Sequence, residues 1–307
     1  MRDEFLKSLS SLAAKDKDVV LLTADLGFGV FEEFESSFPG QYFNVGVAEQ
    51  NMTGLAVGLS LEGKKVVTYS IANFPILRCL EQIRNDACYH NANITIVGSG
   101  GGFSYGALGM SHHATEDLAI LRALPGMTVV APCTRWEAGE ATNALLSHSG
   151  VGYLRLDKTS AQDHSEIQPF ILGKSRRHHE GNDVTLIGIG GILDEVNKAA
   201  FTLKQDGISA RVIGLHTLKP IDEIEIINAA SETGGIITIE EHNKDGGLAG
   251  AVAEVCMDNG IVPKKFARIG LDNKYSSIVG SQQYLRSYYK MDANAITDVV
   301  LNLLKNS

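Results

Sequence analysis

The sequence FNVGVAEQNMTGLAVGLSL, residues 43–61, decides the fold class of this chain. Its apolar positions recur at the spacing of a helix. They are Val47, Met52, Leu55, Ala56 and Leu59. Small residues at Gly46, Ala48, Gly54 and Gly58 leave room for another backbone to approach the same helix closely. The stretch therefore predicts a helix that packs tightly against its neighbours.

One carboxylate, Glu49, lies at the head of this predicted helix, between Ala48 and Gln50. Burial among apolar neighbours raises the pKa of a carboxyl group and favours its protonated form, which suits a proton donor or shuttle. An acidic residue in the first turn also interacts favourably with the helix dipole, and that explanation is purely structural. The stretch by itself leaves both interpretations open.

Composition indicates a globular protein with two domains. The chain has 307 residues, enough for two cores, with 44% hydrophobic and 21% charged residues. Its 36 acidic and 27 basic residues give a net charge of −9. Because no long basic run or basic helix face occurs, we expect no nucleic-acid partner. The short cluster KSRRHH at 174–179 is interpreted as part of a solvated linker.

Cysteine usage and the N-terminus bear on where the protein resides. The four cysteines show no paired metal-ligand spacing, which predicts free thiols in a reducing compartment. The N-terminal residues lead into an amphipathic helix rather than a signal peptide. No apolar run is long enough to cross a membrane. We therefore expect a cytoplasmic protein that does not associate with membranes.

Strands and helices alternate along both halves of the chain. In the first half, strands are predicted at 19–23, 65–70, 93–97, 127–131 and 151–156, with helices at 2–16 and 75–90 beside the Glu49 helix. In the second half, strands near 183–189, 209–213, 235–240 and 265–270 alternate with helices near 192–206, 220–231, 247–259 and 293–305. The predicted fold class is α/β, with two domains and mainly parallel sheets. The domains span 1–160 and 182–307, joined by a linker at 161–181.

A glycine-rich segment, GSGGGFSYGALGMSHH at 98–113, follows one predicted strand. It is too long for a simple turn, and long loops in compact domains are commonly functional. It is not a GxGxxG motif opening a helix, and the chain has no GxxxxGK[ST], so nucleotide sites lack support.

The end of that segment carries two histidines. His112, His113 and Glu116 have a spacing that a metal site could use, but the sequence positions no further ligand. We predict no metal site here and favour an imidazole that hydrogen-bonds or transfers a proton. A pair of histidines capping the next helix is the structural alternative.

Two arginines are candidate substrate ligands. Arg155 ends a predicted strand, on the side where open α/β sheets place ligands. The planar guanidinium of Arg2 or Arg155 would bind a phosphate group. A surface ion pair is the alternative for each. His242, which follows a strand in the second half, is assigned a structural or interface role.

Five segments occur in the order found in transketolases. They are TADLG at 23–27, GVAEQNM at 46–52, LEQIRND at 80–86, SHHATEDL at 111–118 and LRALPGM at 121–127. The chain resembles, over essentially its whole length, the separately encoded C-terminal half of a transketolase: the pyrimidine-binding domain plus the C-terminal domain. This thiamine diphosphate-dependent superfamily also contains deoxyxylulose-phosphate synthases and the β subunits of 2-oxo acid dehydrogenases.

The resemblance implies a cofactor site. In such enzymes the glutamate at the position of Glu49 hydrogen-bonds the N1′ atom of the thiamine diphosphate aminopyrimidine. That contact promotes the imino tautomer, which removes the thiazolium C2 proton, so the protein tunes a cofactor that performs the carbon–carbon chemistry. The resemblance also implies that Phe74 packs on the pyrimidine ring and that Asp25 lies near the cofactor.

The resemblance further implies a catalytic and substrate-binding role for His112, near the reacting centre, and a sugar-phosphate contact for Arg2 and Arg155. Three positions depart from the family pattern. Ile71 replaces a second aromatic residue, Leu108 replaces a carboxylate that binds sugar hydroxyls, and a further histidine is replaced by glycine near Gly100. These departures leave cofactor binding intact and alter the pocket for donor and acceptor.

Half of the implied site is absent from this sequence. The family holds the diphosphate and its Mg or Ca ion with a GDG motif and a later asparagine, which this chain lacks. We therefore predict an N-terminal partner subunit, an α2β2 assembly and a site shared across the interface. The predicted function is ketol transfer between sugars, which the paired arginines suggest are phosphorylated. The alternatives are a 2-oxo acid dehydrogenase β-type or deoxyxylulose-phosphate synthase-like subunit, and a non-catalytic structural subunit.

Overall fold

The structure, a computed structural model, describes residues 1–163 and 169–305. A seven-stranded sheet dominates the first half, in the order β10-β5-β6-β4-β3-β1-β2. Its strands are β1 (Val19–Thr23), β2 (Tyr42–Asn44), β3 (Lys65–Ile71), β4 (Ile94–Ser99), β5 (Met127–Val130), β6 (Val151–Leu156) and β10 (Thr217–Lys219). Neighbouring strands are parallel except for β10 and β5.

A five-stranded sheet dominates the second half, in the order β12-β11-β8-β9-β7. Its strands are β7 (Arg176–His179), β8 (Val184–Ile189), β9 (Ala210–Gly214), β11 (Ile236–Asn243) and β12 (Phe266–Leu271). These strands are parallel except for the edge pair β7 and β9. The predicted fold class, α/β with two mainly parallel sheets, is therefore confirmed.

Helices cover the faces of both sheets. They are α1 (Arg2–Ala13), α2 (Glu32–Ser37), α3 (Glu49–Leu61), α4 (Asn73–Leu77), α5 (Leu80–Gln82), α6 (Asp117–Arg122), α7 (Arg135–Ser147), α8 (Leu193–Gln205), α9 (Glu223–Glu232), α10 (Leu248–Asp258), α11 (Gln282–Tyr288) and α12 (Ala293–Lys305). A capping box starts α7, in which the Thr134 hydroxyl accepts the Glu137 N–H and the Glu137 carboxylate accepts the Thr134 N–H. None of the helices in the described part of the chain is long and apolar enough to span a membrane.

The stretch at 43–61 contains a strand before its helix. Phe43 and Asn44 extend beside β1 in β2, and the helix itself begins at Glu49. The inner side of α3 packs into the core through residues such as Met52 and Ala56, both fully buried. Its outer side carries glycines and leucines, and a Cβ placed on Gly54 or Gly58 would meet nothing within 4 Å. The close approach expected from the sequence is therefore available on a face that this chain leaves open.

The segment predicted as one helix at 75–90 is interrupted. It forms α4, then α5, then a π-helical turn at Ile83–Cys88. Pro75 is tolerated because it lies in the first turn of α4, where its missing N–H has no helical partner. Wide π-turns occur frequently at functional sites, and this segment lies beside Phe74 and Arg78.

The predicted linker at 161–181 is not irregular throughout, because β7 forms within it. Along β7, Arg176 and His178 point inward while Arg177 and His179 lie towards the surface. Arg176 donates to the buried carboxylate of Glu137 at 2.9 Å. The interpretation of KSRRHH as a solvated cluster is therefore wrong; partners distant in sequence neutralise it. Residues 164–168 of the predicted linker lie outside the described residues.

The two halves are joined more closely than the sequence predicted. Strand β10 follows β9 in the chain yet pairs with β5 of the first sheet. The Ala131 N–H also donates to the His216 carbonyl at 2.8 Å. One apolar cluster runs through both halves and includes Met52, Leu118 and Val252. A short polar-looking strand such as β10 has no hydrophobic pattern of its own, so only tertiary pairing reveals it.

Candidate functional site

Glu49, Phe74 and His112 lie in one cluster at the carboxyl edge of the first sheet. Glu49 begins α3, Phe74 belongs to α4 just after β3, and His112 ends a short turn in the loop after β4. Arg78 links them: its guanidinium donates to Glu49 Oε1 at 2.8 Å and lies 4.2 Å from the centre of the Phe74 ring. The Phe74 and His112 rings meet edge to face, with centroids 5.3 Å apart. The structure thus brings three predicted site residues together.

The surroundings of Glu49 differ from the apolar pocket expected from the sequence. The side chain is buried, with 5% of the residue exposed. However, Arg78 supplies a cation at hydrogen-bond distance, and half of the Arg78 side chain is exposed. The sequence did not indicate the contact, because Arg78 lies 29 positions after Glu49 and just beyond the end of the helix that carries Phe74. Glu49 Oε2 accepts no hydrogen bond from the described residues, so the carboxylate keeps an acceptor free.

Asp25 lies in the turn that follows β1, beside the head of α3. Its φ of 53° is unusual for a non-glycine residue. The Asn44 side chain holds this turn, because its Oδ1 accepts the Asp25 N–H at 2.9 Å and the Gly46 N–H at 3.0 Å. Asn44 also donates to the Asp25 carboxylate at 3.3 Å. Asn44 therefore joins the end of β1 to the approach of α3, a role that its position in a strand did not signal.

Residues 100–113 form a loop that we call the histidine loop. Its ends are joined by an antiparallel bridge between Gly102 and Ala114, with N···O distances of 2.8 and 3.0 Å. Asn73 holds the later part, donating to the His113 carbonyl and, at 3.4 Å, to the Ser111 carbonyl. His112 is thereby fixed from both sides in the chain. Asn73 adjoins Phe74, which is the only sequence signal for it.

The two neighbouring histidines have different surroundings. The Ser111 hydroxyl lies 3.0 Å from His112 Nδ1, and the ring faces Phe74 at the open side. His113 is buried, with its Nε2 3.2 Å from the Gly106 carbonyl. Burial lowers the pKa of His113, which favours the neutral imidazole. Within residues 1–163 and 169–305, no group of three or more His, Cys, Asp or Glu side chains is placed to hold a metal ion.

Arg2 lies in a separate cleft of about 350 Å³ at the ends of β4 and β6. Cations and carboxylates both line the cleft: it also contains Arg135, Lys158, Asp3, Glu4 and Asp157, and Arg2 pairs with Asp3 at 3.4 Å. Burial lowers the pKa of Lys158 and Arg2 lowers it further, which is the expected effect of crowding cations. The Lys158 ammonium lies 3.9 Å from the centre of the Tyr105 ring. Lys158 follows β6 by two residues, and sequence reasoning misses it in favour of Arg155.

Arg155 is not brought to that cleft. It is 3% exposed, and it donates to Asp117 Oδ1 at 3.2 Å, to Asp157 Oδ1 at 3.3 Å and to the Glu241 carbonyl at 3.1 Å. Burial alone would lower the pKa of Arg155, but Asp117 and Asp157 raise it above its usual range. The guanidinium is enclosed and fully occupied by partners within the chain. This placement argues against the predicted phosphate contact and favours a structural role between the halves.

His242 is also enclosed, as its structural assignment expects. It has no exposed surface and its Nε2 accepts the Ala119 N–H at 3.4 Å.

Two of the positions that depart from the family pattern, Gly100 and Leu108, lie in the histidine loop. Leu108 is 56% exposed, so the position expected to carry a carboxylate instead presents an apolar side chain. Gly100 has φ +89°, and a Cβ there would collide with the Tyr105 ring. A histidine at Gly100 is therefore excluded unless Tyr105 moves, which the sequence alone did not indicate.

Comparisons with known proteins give consistent matches. The model of the "Transketolase, pyrimidine binding domain" family matches residues 1–163, and that of the "Transketolase, C-terminal domain" family matches residues 173–296. A solved structure described as an inactive β4 tetramer of a split-gene transketolase superposes with a TM-score of 0.88 at 33% identity. That comparison covers 99% of this chain and 97% of the other.

Similar curated proteins include separately encoded subunits. An apulose-4-phosphate transketolase subunit from Phocaeicola vulgatus is 35% identical over 99% of this chain and 97% of its own length. A 6-deoxy-6-sulfo-D-fructose transketolase subunit from Clostridium sp. is 36% identical, covering 96% and 92%. A 1-deoxy-D-xylulose-5-phosphate synthase from Halothermothrix orenii is 31% identical over 98% of this chain, which spans 47% of that protein.

Proposed function

This chain belongs to the transketolase family, as its five sequence segments predicted, and on that premise we propose that it is the C-terminal subunit of a two-subunit, thiamine diphosphate-dependent transketolase. The observation that carries the proposal is the cluster of Glu49, Phe74 and His112 at the carboxyl edge of a parallel sheet. Ligands of open α/β sheets bind at this edge. The reaction is the transfer of a ketol unit between sugars or related carbonyl compounds.

The residues of the cluster fit the aminopyrimidine end of thiamine diphosphate. Glu49 offers a free carboxyl oxygen at a buried position. A proton carried by that oxygen or by the ring nitrogen would make the hydrogen bond between them, and the low local dielectric strengthens it. Phe74 offers a half-buried ring on which a planar heterocycle stacks. When bound, the cofactor supplies the nucleophilic carbon for the ketol group. Asp25 and Asn44 shape the turn beside it.

His112 is placed to act on the substrate rather than to hold the cofactor. Its ring lies over the edge of Phe74 and the histidine loop fixes its backbone. An imidazole there donates or accepts a proton at a hydroxyl or carbonyl oxygen of the substrate. The exposed Leu108 on the same loop removes a polar contact that family members make to sugar hydroxyls. We infer a substrate with fewer hydroxyl contacts at that end.

The anionic end of the substrate is assigned to the cleft of Arg2, Arg135 and Lys158. Asp3 and Glu4 line the same cleft and Asp3 pairs with Arg2 at 3.4 Å, so the proposed contact with a phosphate or a comparable anion rests chiefly on Arg135 and Lys158. The two split-subunit relatives are named for a sugar phosphate and a sulfo sugar, both of which are anionic. Arg155, predicted for this contact, is replaced by Lys158 in the proposal because Arg155 is enclosed.

The missing half of the site is assigned to an N-terminal partner subunit. That subunit would hold the diphosphate and its Mg or Ca ion, since the described residues of this chain offer no metal-binding group. The open face of α3, with Gly54, Leu55, Gly58 and Leu61, is suited to close packing by the partner. We propose an α2β2 assembly in the cytoplasm; four free cysteines agree with a reducing compartment.

Reconstitution tests the function. The chain is produced with and without the N-terminal subunit, and ketol transfer is measured with thiamine diphosphate, Mg²⁺, and phosphorylated or sulfonated ketose donors. Activity is expected only from the mixture. Activity of this chain alone, or a fully loaded mixture that is inert with every ketose, contradicts the proposal.

The same mixture tests the alternative reactions. A deoxyxylulose-phosphate synthase-like or 2-oxo acid dehydrogenase β-type subunit uses a 2-oxo acid as donor, so pyruvate replaces the ketose in a parallel assay. Release of carbon dioxide from pyruvate at a rate exceeding ketol transfer would favour those alternatives. Absence of both reactions would leave the structural-subunit alternative.

A further inference from the structure

The histidine loop is held by the second domain as well as by Asn73, through a side chain that the proposed reaction does not use. That side chain is Glu241, at the end of β11 and 3% exposed. Its Oε1 accepts the backbone N–H of Phe103 in a short hydrogen bond. The contact joins residues 138 positions apart in sequence. Because the donor is the Phe103 backbone, the position of the Glu241 carboxylate helps to determine where this part of the loop lies.

The Glu241 carboxylate is itself held rigidly. The Gln282 amide donates to Oε1 at 2.9 Å, and the Arg286 Nε donates to Oε2 in a short ion pair. Arg286 is 1% exposed and is anchored in turn by the Thr159 hydroxyl at 2.8 Å. Both oxygens of the Glu241 carboxylate are therefore held by side chains of the second domain. Such support is what keeps a positioning contact within a fraction of an ångström.

The loop is shaped to accept this carboxylate. A Cβ on Gly102 would lie 2.5 Å from Glu241 Oε1, so only glycine permits the approach. A Cβ on Gly106 would likewise collide with the backbone at Gly280, whose N–H donates to the Gly106 carbonyl at 3.3 Å. The Phe103 ring stacks on Tyr289 at 5.5 Å. Three separate contacts therefore dock the loop on the second domain.

The Glu241 contact is transmitted to His112 by a short path. Phe103 adjoins Gly102, which is bridged to Ala114 by two backbone hydrogen bonds. The Phe103 ring also meets the His113 ring edge to face at 5.1 Å. The loop that carries His112 is therefore held in two ways. Glu241 positions it through Phe103, and Asn73 positions it through the carbonyl groups of Ser111 and His113.

We propose that Glu241 is a positioning residue: with Arg286 and Gln282 it clamps the histidine loop from the second domain and so sets the position of His112 over Phe74. The second domain, which contributes no residue to the cluster itself, thereby controls the reaction rate. The effect on rate rests on the proposed function, whereas the effect on loop order does not.

Glu241→Gln in the reconstituted enzyme tests the clamp. The amide keeps an oxygen for the Phe103 N–H but turns an N–H donor towards Arg286, so the clamp loosens without changing size. We expect kcat per cofactor-loaded site to fall by about 10- to 100-fold, the cost of a displacement on the order of 1 Å at a reacting group. The Kd for thiamine diphosphate is expected to stay unchanged, because no cofactor ligand is altered.

Hydrogen exchange gives a readout that does not depend on activity. Amides of residues 100–113 are expected to exchange faster in Glu241→Gln, while amides of β8 and β9 keep their protection. Glu195→Gln is the matched control. Glu195 is an equally buried carboxylate of the second domain, bound to Lys198 at 2.9 Å and to the Ala293 N–H at 2.9 Å, away from the loop. It should lower stability and leave both kcat and loop exchange unchanged.

A double-mutant cycle with His112→Ala separates positioning from any other role. If Glu241 acts through His112, Glu241→Gln adds little to the loss already caused by His112→Ala. Full multiplication of the two losses would overturn the proposal, as would wild-type kcat together with unchanged loop exchange. Should Glu241→Gln fail to fold, Gln282→Met removes the 2.9 Å support of Glu241 and the 3.4 Å hydrogen bond to the Ser104 hydroxyl of the loop, and must give the same pattern at smaller size.

The two proposals fail in different ways. An inert wild-type mixture refutes the proposed function, and loop exchange then decides the clamp by itself. An active wild type whose Glu241→Gln variant is unaffected refutes the clamp and leaves the function standing.

Discussion

Two groups of charges in this protein are built in opposite ways. In the Glu49 cluster, a buried carboxylate has one cationic partner, Arg78, whose side chain is half exposed. In the interdomain charge cluster, which comprises Arg155, Asp117, Asp157, Glu241 and Arg286, each group is almost fully enclosed. Arg155 alone has three partners within the chain. The first group is left incomplete by this chain, and the second is complete.

The difference shows how to distinguish a structural charge from a functional one. A buried charge is tolerated when its partners and hydrogen bonds are supplied in full, and removing one partner is then costly. A buried group with an unused acceptor at an open edge is available to a ligand instead. By this criterion Glu49 fits the proposed site, which a cofactor and a partner would complete, and Arg155 belongs to the interior.

Replacing Glu49 should give the largest functional effect. Glu49→Gln is expected to lower kcat of the reconstituted enzyme by about 10³-fold, the scale of losing a proton-transfer contact. The free energy of unfolding should change little, because only one half-exposed ion pair is lost. Steady-state kinetics and denaturant unfolding measure the two effects. Glu62→Gln, an exposed change at the other end of the same helix, is the control and should alter neither.

Replacing Arg155 should give the largest effect on stability. Arg155→Met leaves Asp117 and Asp157 buried without their cation, which is expected to lower the free energy of unfolding by about 3–5 kcal/mol. Arg177→Met, which breaks a partly exposed pair with Glu225, should cost only about 1 kcal/mol. A raised KM for an anionic donor with unchanged stability in Arg155→Met would instead support the phosphate contact that the sequence predicts.

A buried histidine where the two halves share a sheet should make stability depend on pH. Burial, and after it the charge of Arg176, lower the pKa of His216 to about 3. Because this value lies below the unfolded value of about 6.5, the unfolded chain binds a proton that the folded chain excludes. The stability contributed by His216 is full above pH 6.5 and is lost as pH falls towards 3.

The expected slope for this group is about 1.4 kcal/mol per pH unit within that window, or about 2 kcal/mol between pH 6.5 and pH 5. Denaturant unfolding at a series of pH values measures it. His216→Gln should flatten the dependence. An equally steep loss in that variant would show that other groups cause it.

The open face of α3 should give the smallest effect on the chain itself. Gly54→Leu removes a glycine from an exposed helix position where a Cβ meets nothing within 4 Å, which is expected to stabilise the chain by about 0.5–1 kcal/mol. The same substitution should weaken association with the N-terminal subunit, because close backbone approach is blocked. Sedimentation velocity of the mixture measures association. Unchanged assembly would show that the partner binds elsewhere.

Much of the fold could be predicted because it is encoded locally. Strands β1 and β6 occupy the predicted residues 19–23 and 151–156. The run VVLLT of β1, and the mostly apolar VGYLRL of β6, are typical of buried parallel strands. Strands β7 and β10 could not be found in the same way. Strand β7 consists of arginine and histidine residues, and β10 is only three residues long. Each forms by pairing with a strand that is distant in sequence.

The site divides along the same line. The structure brings Glu49, Phe74 and His112 together at one edge of the first sheet, while their roles stay predictions that rest on the family resemblance. The sequence did not reveal Arg78 on Glu49, nor Lys158 beside Arg2, because side-chain direction decides both. Arg155 and Lys158 lie three residues apart, yet one is enclosed and the other lines a cleft.

Calorimetric titration of thiamine diphosphate with Mg²⁺ measures whether this chain holds only half of a cofactor site. The chain alone offers a partner for the pyrimidine but no group for the metal among its described residues. Binding to the mixture with the N-terminal subunit is therefore expected to be at least about 100-fold tighter, a difference of about 2.7 kcal/mol. It should saturate at one cofactor per chain. Equally tight binding to this chain alone would show that it holds a complete cofactor site without a partner.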